Sequence, residues 1–177
     1  MMHHFIGTKI IKARPMTRGE YNSYRGWEIP TDENPDDVGY LVEYTDGGQV
    51  NHPAHVGYIS WSPKEVFDKA YVGMDTDFGT TEVPAHLLRL SGERAELADR
   101  LEKLKTFIDL QTAHHNNDED LDDSIREKIK HVPKLEQAEW RMLMEQSMIM
   151  ASLLTILDRR LRSAKEQLSR TLGSSHA

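Results

Sequence analysis

Residues 57–67 read GYISWSPKEVF, a strand running without a linker into a helix start. Tyr58, Ile59 and Trp61 are residue types that suit a pleated, half-buried surface. Three helix-start signals follow: Ser62 as N-cap, Pro63 at the first position and Glu65 closing a capping box. A strand that feeds a short helix needs partner strands, and the residues before it supply them. GYLVEY, 39–44, is a second strand, with Tyr40, Val42 and Tyr44 on one face and Leu41 and Glu43 on the other. The connection TDGGQVNHPAH turns at Asp46-Gly47-Gly48. Further upstream, GTKIIKARP predicts a strand over 8–14, ended by Pro15. Thr17 and Glu20 form a capping-box pair that starts a short helix, and Gly26 stops it. The front of the chain therefore reads as α+β, a small antiparallel sheet with short helices.

The rest of the chain changes character. The protein has three Trp, six Tyr and four Phe, and all but Phe107 and Trp140 precede Pro84. After Pro84 the sequence is rich in Leu, Met, Glu, Arg and Lys. Leu90, Leu97, Leu101, Leu104 and Ile108 make a seam of coiled-coil spacing. Leu135, Ala138, Met142, Leu143, Met150, Leu153, Leu157 and Leu161 recur at helical spacing in a second long run. Between the runs, 116–124 carries the N-cap of a short helix through Ile125 and Ile129. The economical arrangement is an antiparallel α-helical hairpin, whose Met-rich stretch offers a surface to a second chain. The expected organisation is an α+β module over 1–73, a linker over 74–83, the hairpin over 84–170 and a disordered tail over 171–177.

Composition narrows the function classes. The 177 residues include 22 Lys+Arg against 29 Asp+Glu, for a net charge of −7. That balance argues against binding long duplex nucleic acid, which asks for a basic footprint. There is no cysteine, so disulfides, thiolate zinc sites and thiol nucleophiles are absent. No apolar run reaches the ~20 residues of a membrane span, and the N-terminus has no signal-peptide core; a cytoplasmic protein is the expectation. His3 and His4 read as a frayed terminus.

Catalytic patterns are sparse. The acidic runs 32–37 (Asp32, Glu33, Asp36, Asp37) and 116–124 lack the spacing and central glycine of a calcium loop. His52 and His55, and the neighbours His114 and His115, are too few at ligand spacing for a metal. No phosphate-loop, dinucleotide or nucleophile-elbow motif occurs. The aromatic and basic residues of the front module are more suggestive. Tyr24, Arg25 and Trp27 cluster at a helix end, and the strands add Tyr40, Tyr44, Tyr58 and Trp61. Aromatic faces stack on nucleobases, while Arg25, Arg18 or Lys64 can hold phosphate. The alternative use of each aromatic is core filling, which a sheet this small needs. Trp27 and Trp61 stand at element ends beside loops, where ligands bind.

The stretches KIIKARPMTRGEYNSYRGWEIPTDENPDDVGYLVEYTDGG and GYISWSPKEVFDKAY resemble a family of small proteins of tailed phages and prophages, over about residues 6–71. The back half resembles a phage-associated helical module. In outline, the order of Gly26-Trp27 after a short helix, the strand around Tyr40, Leu41 and Val42, then Trp61, Ser62 and Tyr71, is similar to the anti-Thoeris sponge proteins of phages. The acidic loop 28–37 and the helical half depart from those short proteins. This resemblance implies a counter-defence protein without catalysis or cofactor, a homo-oligomer in the cytoplasm of an infected bacterium. Its ligand would be a small nucleotide-derived signal: a cyclic dinucleotide, a cyclic trinucleotide or a cyclic ADP-ribose. Trp27, Tyr40 and Trp61 would stack on bases, and Arg25 and Lys64 would hold phosphates. Two other readings remain: a protein-interaction adaptor working through the hairpin, with Met144 and Met148 exposed, and a metal-dependent hydrolase using Asp32 and Glu33.

Overall fold

A computed structural model describes residues 9–80, 82–116 and 122–174 of the chain. The sequence readings at Thr8, His3, His4, 117–121 and 175–177 lie outside the described residues. The chain divides into two compact units, Met1–Val72 and Gly73–Ala177, and its fold class is α+β.

The first unit is built on a three-stranded antiparallel sheet of β1 (Lys12–Pro15), β2 (Gly39–Tyr44) and β3 (Tyr58–Pro63), in that spatial order. Lys12 to Pro15 pair with Glu43 to Tyr40, and Gly39 to Tyr44 pair with Pro63 to Tyr58. Helix α1 (Arg18–Arg25) follows β1, and α2 (Lys64–Ala70) follows β3. The capping box forms as its sequence suggests. The Thr17 hydroxyl accepts from the Glu20 N–H, and the Glu20 carboxylate accepts from the Thr17 N–H at 2.7 Å. Gly26 ends α1 in the left-handed region, at φ 68°. Because side chains alternate along a strand, Leu41, Ile59 and Trp61 face α1, where Tyr21, Met16 and Tyr24 join them. Tyr40 points to the other side and stacks on Phe67 of α2, ring centroids 4.0 Å apart. Both faces of the small sheet are thus covered.

Two local expectations shift. Among the described residues the first strand starts at Lys12, and residues 9–11 have no ladder partner on β2. Ser62 is not the cap of α2. The ladder runs on through Pro63, the Lys64 N–H still donates to the Val38 carbonyl, and the N-cap position falls to Pro63 without a side-chain bond.

The second unit holds α3 (Ala85–Asn116), α4 (Asp123–Lys130) and α5 (Gln137–Ser174). The long helices α3 and α5 pack along a core of Leu87, Leu90, Leu97, Leu157 and Leu161. Asp122 caps α4 by accepting from the Ser124 N–H at 2.8 Å. Gln111 is fully buried and spends both ends of its amide: it donates to the Pro133 carbonyl at 2.8 Å and accepts from the Leu135 N–H at 3.0 Å. It thereby ties the approach to α5 onto α3.

The stretch expected as a linker, 74–83, is packed into this unit. Phe78 is buried in the hairpin core, Val83 lies against it, and the Asp75 carboxylate takes the Lys165 ammonium at 2.7 Å. Residues 171–174, expected as the start of a tail, belong to α5, which continues to Ser174 and packs on the core through Leu168.

Candidate functional site

The five residues singled out in the sequence occupy three places in the first unit. Arg25 and Trp27 meet at the C-terminal end of α1, where the chain turns at Gly26. The guanidinium lies 4.2 Å from the Trp27 ring centroid, and Tyr21 meets that ring edge-on at 6.2 Å. Trp27 remains 53% exposed, so one ring surface is open to a flat ligand beside a fixed positive charge.

Trp61 sits half-buried on the α1 face with both its N–H and its ring engaged. Its indole N–H donates to the Met16 carbonyl at 2.9 Å, and the Arg18 guanidinium covers the ring at 4.8 Å. A side chain at position 39 would meet the ring at 2.5 Å, so Gly39 is what lets it lie against β2. Arg18 is itself ion-paired with Glu33, which gives the acidic loop a structural task.

Tyr40 and Lys64 share the α2 face, opposite Trp61. Tyr40 is stacked on Phe67, and the Lys64 ammonium is 5.9 Å from its ring. Lys64 bonds Asp68 one turn on, and that carboxylate holds the ammonium above its usual range. Beyond them the Tyr71 phenol is pushed up to about 12, chiefly by its hydrogen bond with Tyr44 and then by burial. The five side chains do not line one cavity. Arg25 with Trp27 and Tyr40 with Lys64 come together as pairs, and Trp61 stands apart from both.

A cluster that the sequence reading passed over lies between α1 and the 45–57 connection. Glu43, placed by β2 on the α1 face, accepts from the Val56 and Gly57 N–H groups at 3.0 and 3.1 Å. His55 Nδ1 is 3.3 Å from the same carboxylate, and His55 Nε2 is 2.9 Å from the Tyr24 hydroxyl. His52 stacks on Tyr24 at 4.4 Å, and the Arg14 guanidinium lies 5.3 Å from the Tyr24 ring. Burial raises the Glu43 carboxyl, but the bonds from His55, Gly57 and Val56 outweigh it and hold the group below its usual range. His55 thus bridges the Glu43 carboxylate and the Tyr24 hydroxyl through its two ring nitrogens. A cleft of about 620 Å³ opens beside Tyr24, bounded by Arg14 and Met16 of the strand side and Gly19 and Ser23 of α1. The sequence shows His52 and His55 only as weak metal candidates and Tyr24 only as a stacking aromatic; the signal that joins them is Glu43, one acid inside an otherwise apolar strand.

In the second unit a cleft of about 440 Å³ runs between the long helices. Leu97, Leu104 and Met150 give it an apolar floor, Gln146 an amide, and Arg100 and Lys103 a positive rim. Each cation has an acid one turn back, Glu96 at 3.7 Å and Asp99 at 2.7 Å. These pairs are exposed and therefore weak, so both cations can turn to an anion. Among the described residues no three His, Asp or Glu side chains converge as a metal set, and no helix is long and apolar enough to cross a membrane.

Residues 84–163 match the Sequestin family, so α3, α4 and most of α5 are similar to that family. No curated protein and no solved structure matches the chain.

Proposed function

We propose that the protein binds a small, nucleotide-derived anionic signal and withholds it without turnover, as a phage or prophage counter-defence protein acting in the bacterial cytoplasm. The observation that carries this reading is the match of 84–163 to the Sequestin family, whose name describes sequestration. It directs attention to the hairpin, where Arg100 and Lys103 stand over a floor of Leu97, Leu104 and Met150. An apolar floor with a few convergent polar groups is the usual make-up of a small-molecule site. In this reading the two cations hold phosphates and the floor takes the ring system. The exposed Trp27 with its stacked Arg25 is the second place for a base. Trp61, Tyr40 and Lys64 are engaged by Arg18, Phe67 and Asp68, and they carry less of the proposal.

The test is a thermal melt of the purified chain with cyclic dinucleotides, cyclic trinucleotides and cyclic ADP-ribose isomers. A ligand at 100 times its Kd adds about 2.7 kcal/mol of stability. The expected result is a shift with one class, release of the unaltered compound on heating, and loss of the shift in the Arg100→Ala/Lys103→Ala double variant. Persistence in that variant with loss in Arg25→Ala moves the site to Trp27. A chemically converted ligand, or no shift with any compound, overturns the reading. An adaptor role is favoured by one observation, the exposure of Met144 and Met148 on α5. It predicts that charged substitutions there abolish function while leaving ligand-induced melting shifts untouched.

A further inference from the structure

Among the described residues of the second unit, the large apolar side chains that stand strongly exposed, Met142, Met144, Met148, Ile149, Leu153 and Ile156, all belong to α5. Four of them are ordered. Met142, Gln146, Ile149, Leu153, Ile156 and Arg160 follow one another at steps of four, three, four, three and four, the spacing of a coiled-coil seam. At 100° per residue this seam lies about a quarter-turn from the side of α5 that carries Met150, Leu154, Leu157 and Leu161 into the core. Helix α5 thus has two apolar faces, and only one is used within the second unit. Ile149 is 69% exposed, Met142 60% and Ile156 51%; a seam this regular and this open asks for a second helix.

The sequence along the seam says which helix and in which direction. In a parallel pair of identical helices, Arg160 would meet Arg160 and Gln146 would meet Gln146. In an antiparallel pair, with the two-fold axis close to Ser152, Ile149 packs on Leu153 of the second copy, and Met142 lies along the stem of Arg160. The flanking positions then agree as well. Glu145 and Arg159 lie seven residues either side of Ser152, so each Glu145 faces an Arg159 across the pair, twice by symmetry. Among the described residues none of the ion pairs within the chain uses Glu145, Arg159 or Arg160. Ser152 lies on the same flank of the seam as Glu145 and Arg159, level with the two-fold axis.

We infer that the protein is a two-fold dimer in which α5 packs antiparallel on α5 of a second copy, along Met142, Ile149, Leu153 and Ile156, with Glu145 paired to Arg159 across the interface. Such an interface is isologous, the commonest arrangement of soluble homodimers, and places four long helices side by side. The inference stands apart from the ligand reading. The two meet at Gln146, which belongs both to the seam and to the rim of the hairpin cleft, so the second copy passes at the mouth of that cleft.

Sedimentation equilibrium of the full chain is expected to give a dimer. Ile149→Glu with Leu153→Glu is expected to give a monomer of unchanged helicity by circular dichroism. Glu145→Arg alone and Arg159→Glu alone should each raise the dimer dissociation constant at least tenfold, and the two together should restore it. The chain has no cysteine, so single cysteines report direction directly. Ser152→Cys should be joined to its copy by a short bis-maleimide, because the two residues 152 lie level with each other on the same flank of the seam. Glu145→Cys should not, because residues 145 of the two copies lie about 21 Å apart in the antiparallel register. A monomeric wild type, a dimer indifferent to the Ile149/Leu153 change, a charge swap that fails to rescue, or Glu145→Cys crosslinking as readily as Ser152→Cys would each overturn the proposal.

Discussion

Trp61 and Trp27 are the same residue type, both at element ends, and the structure gives them opposite environments. Trp61 has a hydrogen-bonded indole, a guanidinium above its ring and a glycine beneath it. Trp27 has one guanidinium on its ring and an open surface beside that contact. Replacing Trp61 by Ala removes a packed ring and leaves the Met16 carbonyl without its donor. The expected cost is about 2–4 kcal/mol, toward the lower end of large-to-small core changes because the ring is only half-buried. Trp27→Ala should cost at most about 1 kcal/mol, in line with surface substitutions that lose modest packing. Hydrogen exchange at β2 and β3 measures both: the first variant should raise it strongly and the second hardly at all. The sequence placed both tryptophans beside loops but carried no sign of which would be covered. That depends on strand register, on the vacancy at Gly39 and on the position of Arg18 over the ring, and all three are set by contacts distant along the chain.

At the level of elements, the locally encoded features were the legible ones. The Thr17–Glu20 box and the Gly26 stop are decided within a few residues of each other, and both form where the sequence puts them. The Ser62–Glu65 box looks as good on paper and does not form, because β2 competes for the same backbone and holds Ser62 opposite Tyr40. The 45–57 connection was readable as a turn but not as a structure, since its order comes from Glu43, Asn51 and Tyr24. Asn51 accepts from the Ile59 N–H at 2.8 Å and donates to the Ile59 carbonyl at 2.9 Å, and Glu43 gathers Val56, Gly57 and His55. A pH dependence follows. The folded state holds the Glu43 carboxyl below its ordinary value of 4.5, so the folded chain gives up this proton more readily than the unfolded chain. Its contribution is then fully present above the unfolded value and is lost as pH falls through the folded one. Wild type should lose stability below about pH 4.5 through this group, whereas Glu43→Gln should be less stable at neutral pH and flatter in that acid range. Denaturation midpoints between pH 3 and 7, read at the first unit, check it; identical slopes for the two proteins would remove Glu43 as the source.

For the whole molecule, the membership of each core decides how the chain should respond to damage. The sheet core draws Tyr21, Leu41 and Ile59 from the first unit, and the hairpin core draws Phe78, Leu87, Leu157 and Leu161 from the second. The change in composition near Pro84 was visible in the sequence, yet it misplaced 74–83, because a run of Gly, Asp and Thr hides the one aromatic that matters there. Helical spacing likewise revealed a long apolar α5 without separating its two faces; Leu157 is 1% exposed and Met142 60%, although both sit at helical spacing. If Phe78 is part of the hairpin core, Phe78→Ala should act on α3 and α5, as Leu157→Ala does. A cavity at a fully buried leucine costs about 2–5 kcal/mol, and loss of a buried phenylalanine about 3–5 kcal/mol. Amide exchange followed by mass spectrometry resolves where that loss is felt. Both variants should speed exchange along 85–116 and 137–171 and leave β2 and β3 at their wild-type rates. Leu41→Ala should do the reverse. Should Phe78→Ala leave the long helices unchanged, residues 74–83 are a tether and the hairpin core closes without them. Should Leu157→Ala loosen β2 and β3 as much as α3, the two cores unfold as one cooperative unit.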